Sequence, residues 1–295
     1  MEIMNNIIHG DIRDVASTLP ANSVQTIITS PPYLGLRKYA TETSEIKREI
    51  GRERNVEQYT NDLVDVFEKL KPILKSDGTV WVNLGDSYID SHLQGVPWRF
   101  AIKMQDSGWI LRSDIIWHKP NAMPSSVKNR PTTDHEYIFL FSKNKKYYYN
   151  ADAIREEHVT FTEKSKMKGG RNHIGKKNGT PELGKNKGNS NLHTGRWDQA
   201  FNPLGRNKRT VWNIPVSRFK GTHFAVFPEK LVETCLLAGS KEKDIVLDPF
   251  FGAGTTGLVA LNNNRNFIGV ELVKEYAELA KERIKNENYQ LNLFK

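Results

Sequence analysis

Residues 245–271 limit the possible folds of this chain more than any other stretch. Ile245-Val246-Leu247-Asp248 is a short apolar strand, Thr255 to Leu261 has helical character, and Phe267-Ile268-Gly269-Val270-Glu271 is a second strand. Strands joined through a helix form a βαβ unit, the repeating element of an open α/β sheet. The connecting loop runs from Pro249 to Gly254. Within it, Gly252-Ala253-Gly254-Thr255-Thr256-Gly257 matches G-x-G-x-x-G, and Glu271 lies nineteen positions beyond the first glycine. Glycine lets the backbone approach a ligand closely, and a carboxylate ending the second strand can accept both hydroxyl hydrogens of a ribose. No lysine follows the glycines, so this is not a Walker A loop. Any adenosine-containing ligand fits. Asp248 and the apolar Phe250-Phe251 suit a sulfonium and an α-amino group better than a pyrophosphate, which favours S-adenosylmethionine over a dinucleotide.

The chain begins with the same alternation. Ile7-Ile8-His9-Gly10-Asp11 is followed by the buried-strand pattern Ser23 to Ile28, which ends in Thr29-Ser30-Pro31-Pro32-Tyr33. Two prolines cannot donate to a ladder and hold φ near about −65°, so the strand ends in a rigid corner. In open α/β sheets ligands bind at that carboxyl end. The Ser30 hydroxyl, the Pro31 carbonyl and the Tyr33 ring, with Pro32 stiffening the turn, can grip a planar ring bearing an amino group. Between these ends, Leu63, Val66, Phe67, Leu70, Ile73 and Leu74 keep helical spacing, with Ser76-Asp77-Gly78 expected to stop the helix. Thr79–Leu84, Leu111–Trp117 and Tyr137–Phe141 read as strands. A helix is expected from Pro228 onward, and an amphipathic helix carrying Tyr276, Leu279, Ala280, Arg283 and Ile284 closes the chain.

The net charge of +9 is regional: residues 155–220 carry fifteen Lys and Arg against five Asp and Glu. From about residue 152 to 207 periodicity gives way to Gly, Asn and Lys, the mark of a loop-rich insertion. Arg171, Lys176, Lys177, Arg196, Trp197, Arg206, Lys208, Arg209 and Trp212 mix phosphate-binding charge with stacking rings, which suits nucleic acid. A single cysteine, Cys235, rules out an internal disulfide, and the eight histidines lack metal-ligand spacing, so no metal is expected. No apolar run is long enough to span a bilayer and the start lacks a secretory signal, so a cytoplasmic protein without a membrane partner is expected.

Ser30-Pro31-Pro32-Tyr33 near the start and Asp248-Pro249-Phe250-Phe251-Gly252-Ala253-Gly254-Thr255-Thr256 near the end together resemble the amino-methyltransferases of DNA in their permuted β-class order. Gly10-Asp11, Gly78 to Asp86, Asp134-His135-Glu136-Tyr137-Ile138 and Phe227-Pro228-Glu229-Lys230-Leu231 agree with it. The resemblance implies a Rossmann-like methyltransferase fold with a mostly parallel sheet and helices on both faces. Residues 1–150 and 220–295 would form the catalytic domain, and 151–219 a target-recognition insertion. S-adenosyl-L-methionine would be held by Asp11, Phe227, Pro228, Asp248, Pro249, Phe250, Gly252, Gly254, Thr255, Thr256 and Glu271. The partner would be double-stranded DNA, a cognate restriction endonuclease could accompany it, and the enzyme would be a monomer or homodimer. In that family serine before Pro-Pro usually accompanies cytosine N4 methylation, and aspartate adenine N6 methylation.

The rival readings are weaker. An NAD-dependent oxidoreductase needs a substrate domain after the nucleotide unit, but 24 residues follow Glu271. Methylation of RNA or protein fits the permuted order and basic insertion less well. A silent DNA-binding subunit would not need both motifs intact. Carbon-5 methylation needs a thiolate, whereas Cys235 reads as a small core residue of the helix after Pro228.

Overall fold

The structure is a computed structural model that describes residues 4–36, 39–40, 42–159, 202–216 and 228–293, with side chains to residue 287. It divides into two compact units, residues 1–150 with 209–295, and residues 151–208. The larger contains, in chain order, β1 (Asn6–His9), α1 (Ile12–Val15), β2 (Val24–Thr29), α2 (Thr43–Ile46), α3 (Val56–Leu70) and β3 (Leu74–Leu84). There follow β4 (Tyr88–Ile89), β5 (His92–Leu93), α4 (Val96–Asp106), β6 (Ile110–His118), β7 (His135–Ser142) and β8 (Val211–Asn213). The chain closes with α5 (Glu229–Gly239), β9 (Ile245–Asp248), α6 (Thr255–Asn262), β10 (Asn266–Glu271) and α7 (Lys274–Leu293).

Among the described residues eight strands form one sheet in the order β1-β10-β9-β2-β3-β7-β6-β8, with β4 and β5 a separate hairpin. Parallel pairing links β1, β10, β9, β2 and β3, whereas β7 runs antiparallel to both β3 and β6. Consecutive strands β1 and β2 lie apart because β10 and β9, from the far end of the chain, insert between them. The neighbours β9 and β2 therefore bring the two sequence motifs together at their carboxyl ends, where strand order reverses and a crevice opens.

Period-two alternation on β3 covers both faces. Val80, Val82 and Leu84 join the cluster formed by Leu63, Val66, Phe67 and Leu70 of α3 and by Phe100 and Met104 of α4. Trp81 faces the other way, where Gly239 of α5 approaches so closely that a Cβ there would lie 2.9 Å from Trp81 Nε1. Each fully buried Leu or Phe contributes roughly 1.5–3 kcal/mol to holding these helices down.

Three expectations change. Helix α3 ends at Leu70, before Ile73 and Leu74, because Pro72 cannot continue it. Ser76-Asp77-Gly78 lies inside β3 at a register irregularity between Val24 and Thr26 of β2, so it is not a helix stop. The expected insertion of 151–219 also extends past the smaller unit, which ends at residue 208. Residues 209–216 belong to the larger unit, since Val211–Asn213 pair in parallel with Ile116–His118 of β6 and Trp212 is buried beside Trp81 at 6.4 Å. An apolar ring that completes a core overrides the basic character of its neighbours.

Candidate active site

The carboxyl ends of β9 and β2 meet through a side-chain hydrogen bond, Thr29 Oγ1 to Asp248 Oδ1, 2.6 Å long and spanning 219 positions of sequence. Above this junction lies a cavity of about 450 Å³. Of the expected residues, Ser30, Pro31, Pro32, Tyr33, Asp11, Asp248, Pro249, Phe250, Gly252, Thr255, Thr256 and Glu271 all line it. The two motifs, far apart in the chain, thus share one cavity.

On one wall, Asp248 accepts from Thr29, from Thr256 Oγ1 at 2.7 Å and from the Phe250 N–H at 3.1 Å. Glu271 accepts from the Gly252 N–H at 2.7 Å and the Val273 N–H at 2.9 Å. Both carboxyls are buried, and burial outweighs these hydrogen bonds, pushing each up to about 7. Gly252 adopts φ +50°, and a Cβ there would meet nothing within 4 Å. The loop therefore presents open space in front of two buried carboxylates whose bonds come from hydroxyl and backbone donors, a fit to a cationic ligand with ribose hydroxyls.

Two expected cofactor residues stand off the cavity wall. Gly254 does not line the cavity; at φ +81° it admits Phe251 and Ala280, whose nearest atoms would lie 3.2 Å and 3.1 Å from a Cβ. Phe251 itself is buried, nested against Gly257 and Gly269 and stacked on Phe267 at 5.4 Å. Pro228 is buried as the residue preceding α5 and also stands off the cavity wall. Phe227 lies outside the described residues.

Asp11 caps α1 through the Arg13 N–H at 2.8 Å and pairs with the guanidinium groups of Arg13 at 2.6 Å and Arg48 at 2.7 Å. Burial pushes its carboxyl up, but these partners outweigh it and hold the group below its ordinary value. Unlike that of Asp248, its negative charge is already compensated by two arginines. Tyr39 and Tyr276, meeting edge to face at 6.1 Å, add aromatic surface to this end of the cavity.

The opposite wall holds the proline corner. Ser30 Oγ lies 3.3 Å from Tyr33 Oη and 3.3 Å from Asn83 Nδ2. Tyr33 Oη donates to Glu136 Oε2 at 2.6 Å, and Asn83 Nδ2 reaches Tyr33 Oη at 2.7 Å and Glu136 Oε2 at 2.8 Å. Lys119 forms an ion pair with Glu136 Oε1, its ammonium lying 4.5 Å from the centre of the Trp117 ring. Asn83 Oδ1 is buried with no partner among the described residues. Gly85 leaves room for Tyr33, since a Cβ there would come within 2.7 Å of its ring. Sequence motifs alone assign no role to Asn83, Trp117, Lys119 or Glu136. A polar Asn83 at the end of a buried strand, and Glu136 opening the strand that pairs with it, are the signals that point to them.

Arg171, Lys176, Lys177, Arg196 and Trp197 lie outside the described residues. In the smaller unit, Arg206 and Lys208 pair with Glu156 at 3.2 Å and 3.4 Å, across a backbone bridge between Glu156 and Arg206. Arg209 is exposed beside β8 in the larger unit. Cys235 is fully buried in α5 and does not line the cavity. No metal-binding cluster occurs among the described residues, and no helix there is long and apolar enough to cross a membrane.

Residues 24–282 match the model of the DNA methylase family. The chain is 38% identical to Type II methyltransferase M.Cfr9I of Citrobacter freundii, over 96% of this chain and 88% of that protein. It is 40% identical to Type II methyltransferase M.SmaI of Serratia marcescens, over 94% and 90%. Among solved structures, PvuII DNA methyltransferase (cytosine-N4-specific) superposes with a TM-score of 0.66 at 20% identity, covering 95% of this chain and 90% of that one. A DNA modification methylase of Thermus thermophilus, solved in complex with S-adenosyl-L-methionine, gives 0.60 at 26% identity, covering 95% of each.

Proposed function

The chain belongs to the DNA methylase family of amino-methyltransferases, and from that premise we propose that it transfers a methyl group from S-adenosyl-L-methionine to the exocyclic N4 of cytosine in duplex DNA. It is a Type II DNA methyltransferase of the N4/N6 kind, the modification arm of a restriction-modification system. The nicotinamide reading gives way to this membership. The observation that carries the proposal is the junction itself: a hydrogen bond joins the strand leading to Ser30 to the strand ending in Asp248, so an amine held at the first faces whatever the second binds.

When bound, S-adenosyl-L-methionine supplies an electrophilic methyl on a sulfonium. Asp248 would meet its positive charge, Glu271 would hold its ribose hydroxyls, and Gly252 would give the backbone the room to approach. Asp11, fixed by two arginines, serves as a support for the loop after β1 and not as a further free charge. Ser30 Oγ and the Pro31 carbonyl accept the two amine hydrogens. An exocyclic amine is a poor nucleophile because its lone pair is delocalised into the ring; two acceptors out of the ring plane favour a tetrahedral nitrogen whose lone pair points at the methyl. Tyr33 stacks on the base, which must leave the duplex to reach this cavity at a cost of a few kcal/mol.

Serine at position 30 favours cytosine over adenine, and the location of Cys235 disfavours carbon-5 chemistry, since no thiol lines the cavity among the described residues. Arg209 and the basic residues of the insertion would supply the salt-dependent hold on the polymer. The test is transfer of labelled methyl to unmethylated duplex DNA of diverse sequence. Sequence-dependent incorporation supports the proposal, and none on any DNA overturns it.

A further inference from the structure

Resting on this amine-transfer reading, we propose that Glu136 is a positioning residue that sets the direction of the hydrogen bonds in the catalytic corner, so that Ser30 turns lone pairs, not its hydrogen, toward the amine. An ionised carboxylate accepts and cannot donate. Lys119 occupies Glu136 Oε1, and Oε2 accepts from Tyr33 Oη at 2.6 Å and Asn83 Nδ2 at 2.8 Å. The single phenolic hydrogen of Tyr33 is thereby committed. Burial and the adjoining carboxylate push that phenol well above its ordinary value, so it keeps the hydrogen.

With its hydrogen committed, Tyr33 Oη can only accept further bonds. It takes one from Asn83 Nδ2 at 2.7 Å and, at 3.3 Å, the other from Ser30 Oγ. Asn83 has two amide hydrogens, and its two shorter contacts use them, so its 3.3 Å approach to Ser30 does not redirect the serine. The Ser30 hydrogen therefore points to the phenol, and even with Asn83 Nδ2 donating to Ser30 Oγ at 3.3 Å a lone pair stays available for the amine. That orientation matters because a hydroxyl hydrogen aimed at the amine would compete for the lone pair that must attack the methyl. The Ser30 to Tyr33 contact is long, so its direction depends on the groups behind it. An aspartate at position 30 would be an acceptor without such help.

This difference provides the experiment. Single-turnover methyl transfer to unmethylated duplex DNA is measured with Glu136→Gln in the wild-type and Ser30→Asp backgrounds, and S-adenosyl-L-methionine affinity by calorimetry for each protein. In the wild-type background Glu136→Gln, whose amide can donate to Tyr33 and reverse the chain, lowers the rate roughly 10- to 100-fold with cofactor affinity unchanged. In the Ser30→Asp background the same change costs less than about threefold. Equal losses in both backgrounds, or no loss in either, overturn the proposal. If Ser30→Asp fails to bind cofactor, Tyr33→Phe carries the test. Adding Glu136→Gln to it then costs nothing further under the proposal, and a full additional loss contradicts it. A wild-type protein that methylates no DNA would instead overturn the underlying reading.

Discussion

The two walls of the cavity each place acidic side chains beside a proline turn, but their charges are handled differently. Glu136 on the catalytic wall has Lys119, Asn83 and Tyr33 as donors, so its charge is met from within the protein. Asp248 and Glu271 on the other wall are held by hydroxyl and backbone donors, and burial pushes both up to about 7. A carboxylate already compensated by a lysine suits a neutral, planar guest that must be oriented. An uncompensated pair suits a guest that brings its own positive charge. On the proposed function, the walls differ as a base pocket differs from a sulfonium pocket.

The comparison breaks most easily at Ser30. Ser30→Ala removes one acceptor from the catalytic wall and should lower single-turnover transfer by about 10²- to 10³-fold while cofactor affinity, measured by calorimetry, stays within about twofold. A loss of affinity with turnover preserved would reverse the assignment of the walls. On the other side, Asp248→Asn should weaken cofactor binding about 10- to 100-fold. It should also raise the stability of the cofactor-free protein at about pH 8 by about 1–2 kcal/mol, because it removes a buried charge that hydroxyl and backbone donors only partly compensate. Thermal unfolding with and without cofactor reads both effects at once.

The pH dependence sharpens the same contrast. Unfolded, the two carboxyls titrate near about 4, so between about pH 4 and 7 the native state holds protons that the unfolded chain has released. Their effect on the cofactor-free protein is therefore a stability that falls as pH rises through that window. Cofactor binding reverses the preference, since a facing cation favours the ionised acids. Affinity should thus weaken as pH drops below about 7, by up to about tenfold per unit for each carboxyl, with proton release visible as a buffer-dependent binding enthalpy. A flat affinity from about pH 8 to 6 would remove the electrostatic distinction between the walls. The smallest effect is expected at Cys235, where Cys235→Ala should cost about 1 kcal/mol of stability and leave transfer within about twofold.

The cofactor wall is largely legible in sequence because a βαβ unit is local: strand, glycine loop, helix and terminal acid all fall within residues 245–271. Gly254 reads in the motif as a ligand contact, whereas it stands off the cavity wall where Phe251 and Ala280 approach it closely. The catalytic wall is half legible. Ser30 to Tyr33 form one short segment, but Asn83, Lys119 and Glu136 come from three other strands or their ends, and only the pairing of β3, β7 and β6 brings them together. Non-local register is what a single sequence conceals. The same limit explains residues 209–216, whose Trp212 finds a core partner in Trp81, far away in the chain.

The most direct test of the central claim is to incubate the protein with S-adenosyl-L-methionine and unmethylated duplex DNA, digest the DNA to nucleosides and identify the modified base by mass spectrometry. N4-methyldeoxycytidine, formed far more slowly with Ser30→Ala, is the predicted product. N6-methyldeoxyadenosine or 5-methyldeoxycytidine in its place would contradict the account.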